Sequence, residues 1–162
     1  MGARQSGIYI TNKSDRYTLC NPSLYLASGL CQIPLPTKLE CFESGNTLFS
    51  KTGGTGRGSV GVFTYDLYDP ATDRADKKIA VMFSVPFDYI LYSNWYAVGV
   101  FDKETNCDYD LYCKMYHGDE RGFIRGKADG HYLIHTVDDV TIKSSMTNSS
   151  VATLKVDVQD IK

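Results

Sequence analysis

Two aromatic groups offer the most specific chemistry in this chain. Tyr89, Tyr92 and Trp95 follow an apolar run, Ile79–Val85, and Pro86, with Ser84, Asp88, Ser93 and Asn94 interleaved. Tyr112 and Tyr116 are four residues apart, the spacing that places two side chains on one face of a helix. Rings brought together in this way can cage a quaternary ammonium, each contributing about 0.5–2 kcal/mol according to desolvation. The choline headgroup of phosphatidylcholine or sphingomyelin is the matching ligand, with serine hydroxyls for its phosphate. The same rings would also serve to pack a helix on a sheet, and spacing alone does not separate the two roles.

Other residues with chemical potential fit simpler roles. The glycine-rich stretch 51–59, KTGGTGRGS, lacks the lysine placement and following helix of a phosphate-cradling loop and reads as a loop before a strand. Cys113 and His117 share a helix face, but no second ligand pair of recognised spacing accompanies them for zinc. The chain has three histidines and no Gly-x-Ser-x-Gly elbow. Its paired carboxylates, Asp108 with Asp110 and Asp138 with Asp139, fit helix-cap and strand-end roles. No cofactor and no enzymatic activity are expected.

Composition sets outer bounds. A net charge of −2 and a pI near 5.9 argue against nucleic acid, whose phosphates need a basic patch, and against strong attraction to anionic lipids. The five cysteines, Cys20, Cys31, Cys41, Cys107 and Cys113, have no framework spacing and read as free thiols, which favours a reducing compartment. No apolar run reaches the roughly 20 residues of a membrane-spanning helix, and the N-terminus shows no signal-peptide core. A soluble protein with peripheral membrane association is expected, its compartment left open.

Short runs between turn signals predict an all-β sandwich or barrel. The expected strands are Ile8–Thr11, Thr18–Cys20, Leu24–Ser28, Leu39–Phe42, Ser59–Tyr68, Lys78–Val85, Trp95–Phe101, Val140–Met146 and Val151–Val158. Ser59–Tyr68 and Val151–Val158 alternate as strands with one face on a core do. Asp69–Asp76 reads as a polar hairpin loop and Gln32–Thr37 as an extended connection. One helix is expected, capped by Asn106 and ended by Gly118, with Leu111 and Met115 at helical spacing.

Two blocks then carry a family resemblance: Gly58-Ser59-Val60-Gly61-Val62, and Phe83-Ser84-Val85-Pro86-Phe87-Asp88-Tyr89 with Tyr92-Ser93-Asn94-Trp95. The second resembles the actinoporin motif FSVPYDYNxYSNW at nearly every position. A weaker likeness runs from about Ile8 to the C-terminus. Cys20-Asn21-Pro22, Asp66-Leu67 and Leu111-Tyr112 resemble the vertebrate actinoporin-like proteins more than the sea-anemone toxins. The resemblance implies a mainly β fold, an actinoporin-like sandwich with one or two short flanking helices. It would occupy residues 8–162 after a short segment 1–7.

The resemblance also implies a phosphocholine pocket. Ser28 and Ser84 would supply hydroxyls, Val60 and Pro86 the apolar wall, and Tyr92, Tyr112 and Tyr116 the ring cage, with Tyr89 and Trp95 as membrane-contact aromatics. The implied partners are phosphatidylcholine or sphingomyelin membranes, with self-association on them, and the family activity is cytolytic cation-pore formation. Three positions depart: Leu91 stands where the toxins place a tryptophan, Ala27 where they place a basic residue, and His117 where they place a tyrosine. The family's pore is made by a long N-terminal amphipathic helix. The seven residues Met1–Gly7 have no apolar stripe. Fully helical they would span only about 10 Å of a roughly 30 Å hydrocarbon core. Headgroup recognition without perforation is therefore expected, with a glycan-binding sandwich or an intracellular interaction protein as alternatives.

Overall fold

The computed structural model describes residues 3–52, 58–88 and 93–161. Among the described residues, twelve strands and one helix follow one another. They are β1 (Gln5–Asn12), β2 (Thr18–Ser28), β3 (Leu30–Ile33), β4 (Lys38–Leu39), β5 (Ser44–Ser50), β6 (Ser59–Asp69), β7 (Arg74–Val85), β8 (Trp95–Asp102), α1 (Tyr109–His117), β9 (Phe123–Lys127), β10 (Leu133–Val137), β11 (Val140–Met146) and β12 (Val151–Asp160). They form two six-stranded sheets, β10-β11-β12-β1-β5-β3 and β4-β2-β6-β7-β8-β9. The β1–β12 pair is parallel, whereas β1–β5, β11–β12 and the β2–β6–β7–β8–β9 ladder are antiparallel.

Alternation builds the core between the sheets. Ile8 and Ile10 of β1, Ile142 of β11, and Leu154, Val156 and Val158 of β12 face Phe63, Tyr65, Val81, Phe83 and Val98 of the second sheet. Phe49 and Phe83 stack across it at 4.8 Å. The outer face of the second sheet is covered as well. Val62, Ala80, Met82 and Ala97 pack under Leu111 and Met115 of α1, forming a second core. Strands β6 to β8 are thus buried on both sides, so 79–85 reads as one apolar run. This corrects the one-sided reading of Ser59–Tyr68.

Other boundaries differ for local reasons. The two expected strands Thr18–Cys20 and Leu24–Ser28 are a single strand, β2, which passes Asn21 (φ 52°) with a register shift between Cys20 and Ser23. The expected strand Leu39–Phe42 is only Lys38–Leu39, because Phe42 turns the chain at φ 65°. Strand β1 starts at Gln5 rather than Ile8, and the hairpin after Asp69 is tighter than expected, with β7 beginning at Arg74. The N-cap of α1 is Asp108, whose Oδ1 accepts from Leu111 N–H at 3.0 Å; Asn106 lies outside the helix. Gly118 closes it as expected, its N–H donating to Lys114.

Candidate functional site

Sheet register brings together residues far apart in sequence. Ser28 stands opposite Val60, Val60 opposite Ser84, Ser84 opposite Trp95 and Trp95 opposite Lys127, so one transverse row crosses β2, β6, β7, β8 and β9. Directly opposed residues in an antiparallel ladder share a face. This is the face of Val62, Met82 and Ala97, one rung beyond the part covered by the helix. A bulge is needed at Ser28: the register slips between Leu26 and Ser28, so Ser28 rather than Ala27 meets Val60. Gly29 follows at φ +95°, where an added Cβ would lie 2.4 Å from the Ser50 carbonyl oxygen. The Ser28 hydroxyl donates to the Gly58 carbonyl at 2.9 Å. Ser84 is 4% exposed.

The helix runs across these strands, touching β2, β6, β7, β8 and β9 in turn. Leu111 and Met115 anchor it on the sheet. Lys114 reaches over Phe101 at 5.1 Å, toward the Asp102 end of β8. Tyr116 projects about 200° round the helix from Lys114, so the tyrosine flank faces the other end, where Ser84 and Trp95 lie. Tyr112 and Tyr116 stack at 5.6 Å with an 11° interplanar angle. Burial, and then the neighbouring Tyr116, push the Tyr112 hydroxyl well above the ordinary tyrosine range, so the ring stays neutral.

Of the expected site residues, Ser28, Val60, Ser84 and Trp95 occupy the row, and Tyr112 and Tyr116 flank it. Pro86 lies two residues beyond Ser84, past the paired end of β7. Tyr89, Tyr92 and Leu91, and positions 53–57 of the glycine-rich stretch, lie outside the described residues. The tyrosine pair stacks and also packs on the second core, which is the packing role of the two.

Sequence reasoning missed several contributors. Tyr25 of β2 meets Tyr109 edge-on at 6.2 Å and Tyr112 at 6.5 Å, extending the ring series along the helix. Arg125 ties the last helical turn to β9. Arg4 donates from Nε to the carbonyls of Pro86 and Phe87, both at 3.1 Å, and its guanidinium lies 5.4 Å from the Phe87 ring. Lys51 lies over the same ring at 5.4 Å. Gly58 lets the chain pass beneath Pro86, since a Cβ there would sit 2.0 Å from the Val85 carbonyl oxygen. A helical i, i+3 check around Tyr112 would have drawn attention to Tyr109; the rest depend on tertiary register.

A cleft of about 600 Å³ lies at the opposite end of β6, lined by Arg16, Tyr17, Leu67, Asp69, Lys77 and Asp139 among others. Its charges are largely paired: Arg16 bonds Asp69 at 3.1 Å and also Asp139, and the Tyr17 hydroxyl donates to Asp139 at 3.0 Å. Burial and that bond push the Tyr17 hydroxyl up to about 12. This cleft shares no lining residue with the row or with the tyrosine pair. Cys20, Cys41, Cys107 and Cys113 are half-buried free thiols and Cys31 is an exposed one. Among the described residues, no helix is long and apolar enough to cross a membrane, and no three His, Cys, Asp or Glu side chains converge as metal ligands.

The family model described as "Sea anemone cytotoxic protein" matches residues 3–160. Bryoporin of Physcomitrium patens is 35% identical over 158 residues, 96% of this chain and 84% of that protein. DELTA-alicitoxin-Pse1b of Phyllodiscus semoni is 32% identical over 155 residues, 82% of this chain and 64% of the toxin, so the chain spans just under two thirds of that relative. Among solved structures, the lipid binding protein Nakanori has a TM-score of 0.73 at 14% identity, covering 98% of this chain and 72% of its own. The Xerocomus chrysenteron lectin XCL has a TM-score of 0.56 at 11% identity, covering 97% of this chain and 99% of its own. At such identities both are likenesses of fold.

Proposed function

The chain belongs to the sea anemone cytotoxic protein family, the actinoporins, and from that membership we propose that it is a membrane-lipid-binding module that takes phosphocholine headgroups on its aromatic shelf. One observation carries the reading: the row Ser28–Val60–Ser84–Trp95 continues the sheet face on which the helix and its stacked Tyr112 and Tyr116 rings pack. The rings offer their faces to the quaternary ammonium. The hydroxyls of Ser28 and Ser84 are donors for the phosphate, and Val60 with Pro86 gives the methyl groups an apolar wall. Phosphatidylcholine and sphingomyelin share this headgroup, and the reading holds for both.

For these 162 residues the proposal is recognition without perforation. The helix among the described residues has nine residues, about 13 Å, and its apolar side is used in the second core. Sedimentation with phosphatidylcholine or sphingomyelin vesicles should retain the protein, and free phosphocholine should release it. Tyr116→Ala, with folding checked by its melting temperature, should weaken retention by about tenfold or more. Equal retention of wild type and variant would exclude the tyrosine pair as the headgroup site, and dye release by wild type would show that these residues perforate the bilayer.

Glycan recognition is a second reading, favoured by the cleft at the opposite end. The Arg16–Asp69 and Tyr17–Asp139 pairs hold donors and acceptors in fixed positions there, as a polyhydroxylated ligand requires. Arg16→Ala should then abolish sugar binding and leave vesicle binding intact. Loss of vesicle binding in that variant would argue against separate sites.

A further inference from the structure

A zwitterionic headgroup needs more than rings. The face of an aromatic ring attracts an ammonium and repels a phosphate, so the two ends of phosphocholine require opposite surroundings. At the helix side of the row the rings of Tyr112 and Tyr116 provide the first. The β9 end of the row differs in charge. Lys127, opposite Trp95, places its ammonium 5.9 Å from the indole centroid. Lys127 is exposed and makes no ion pair among the described residues. The carboxylates near it in sequence are engaged elsewhere: Asp129 accepts from the His131 N–H at 3.0 Å, and Glu120 from the Arg125 N–H at 3.1 Å. Ser84 of β7, opposite Trp95, is 4% exposed, and its hydroxyl has no hydrogen-bond partner among the described residues.

We propose that Lys127 is the anion-side anchor of the shelf, taking a phosphate oxygen of the headgroup whose quaternary ammonium lies against Tyr112 and Tyr116. The inference rests on the headgroup reading above and adds a polarity to it. With a protein cation already over Trp95, a ligand ammonium is disfavoured at that ring and directed to the tyrosine rings on the helix. The phosphate is then left to the Trp95 side of the row, where Lys127 is a flexible side chain held at the ring only by a weak contact.

Trp95 is the single tryptophan of the chain, so its emission reports on the row directly. Choline chloride, phosphocholine and sodium phosphate are titrated separately into wild type and Lys127→Met, with Lys127→Arg as the conservative variant. Wild type and Lys127→Arg should bind phosphocholine about tenfold more tightly than choline, and Lys127→Met should bind both equally, at the wild-type affinity for choline. Phosphate alone should leave the emission unchanged. A retained phosphocholine preference in Lys127→Met overturns the proposal, as does loss of choline binding in that variant. Binding of free phosphate as tightly as phosphocholine also overturns it, because such a site would not need the tyrosines. If wild type binds neither choline nor phosphocholine, the headgroup reading itself falls, and the wild-type titration alone shows it.

Discussion

Arg125 reaches from β9 to the end of α1, its Nη1 donating to the carbonyl of Met115 at 3.1 Å and to that of Gly118 at the same distance. The last carbonyls of a helix lack intrahelical partners and carry the negative end of its dipole, so a guanidinium there satisfies both. Tyr116 lies between the two accepting residues. Arg125→Met should therefore lower stability by about 1–2 kcal/mol in urea unfolding and loosen the tyrosine pair. Arg125→Lys, which keeps the charge and a donor, should recover most of both. Vesicle binding is the second readout: if Arg125→Met destabilises the fold without weakening binding, the clamp does not position Tyr116.

The start of the helix gives a sharper comparison, because sequence reading and structure name different caps. Asp108→Ala should cost about 1 kcal/mol, since it removes the acceptor for the Leu111 N–H. Asn106→Ala should change stability by only a few tenths. Chemical denaturation of the two variants side by side would decide between them.

What was legible in the sequence followed from local pattern. β12 alternates, β7 carries a continuous apolar run, and α1 shows its Leu111–Met115 spacing and its closing Gly118, whereas β6 has the alternation in its sequence but is buried on both faces. Four strands were not legible. β5 contains Gly45-Asn46, a turn signal, yet Gly45 is where the chain passes Pro36, whose Cγ would lie 2.6 Å from an added Cβ. β9 contains Gly126 packed under Leu133, and β3 and β10 are short, with β3 exposed throughout. Individual candidate residues were proposed through family resemblance, but the row joining Ser28, Val60, Ser84 and Trp95 was not. A bulge at Ser28 decides whether that residue or Ala27 meets Val60, and bulges leave no fixed trace in composition. Lys127 and Arg125 enter through pairing with β8 and contact with α1, which are tertiary facts.

Stability should depend on pH in two separate windows. Burial holds His135 below its ordinary value of 6.5, with the Gly122 backbone bond opposing in part, and its Nε2 is buried without a hydrogen-bond partner among the described residues. The neutral form is thus favoured in the fold. Its contribution is complete above pH 6.5 and is lost as pH falls from there through the lowered folded value. Asp129 is held below 3.8 chiefly by the His131 N–H. At Asp69, burial pushes the carboxyl up, but bonds from Arg16 and the Ala71 N–H outweigh it. Their contribution is present above pH 3.8 and is lost as pH falls through their folded values. Melting temperature against pH should show both declines, and His135→Leu should abolish the upper one alone.

Asn94 supplies the last test, because it fixes the residue before Trp95. It is fully buried, and its Nδ2 donates to the carbonyls of Thr147 at 3.0 Å and Ser149 at 2.8 Å, joining the start of β8 to the turn between β11 and β12. Its backbone carbonyl accepts from the Ala128 N–H at 3.0 Å, next to Lys127. Asn94→Ala should leave those two carbonyls short of a donor and cost about 1–3 kcal/mol. Asn94→Asp conserves shape but turns a carboxylate toward two carbonyl oxygens, so it should be the more damaging variant despite the smaller change in volume. In both, Trp95 emission should shift to the red as the row loosens, and retention on phosphatidylcholine vesicles should fall with it. If Asn94→Asp proves as stable as wild type, the amide is not donating as the geometry requires, and the β11–β12 turn does not hold the shelf in place.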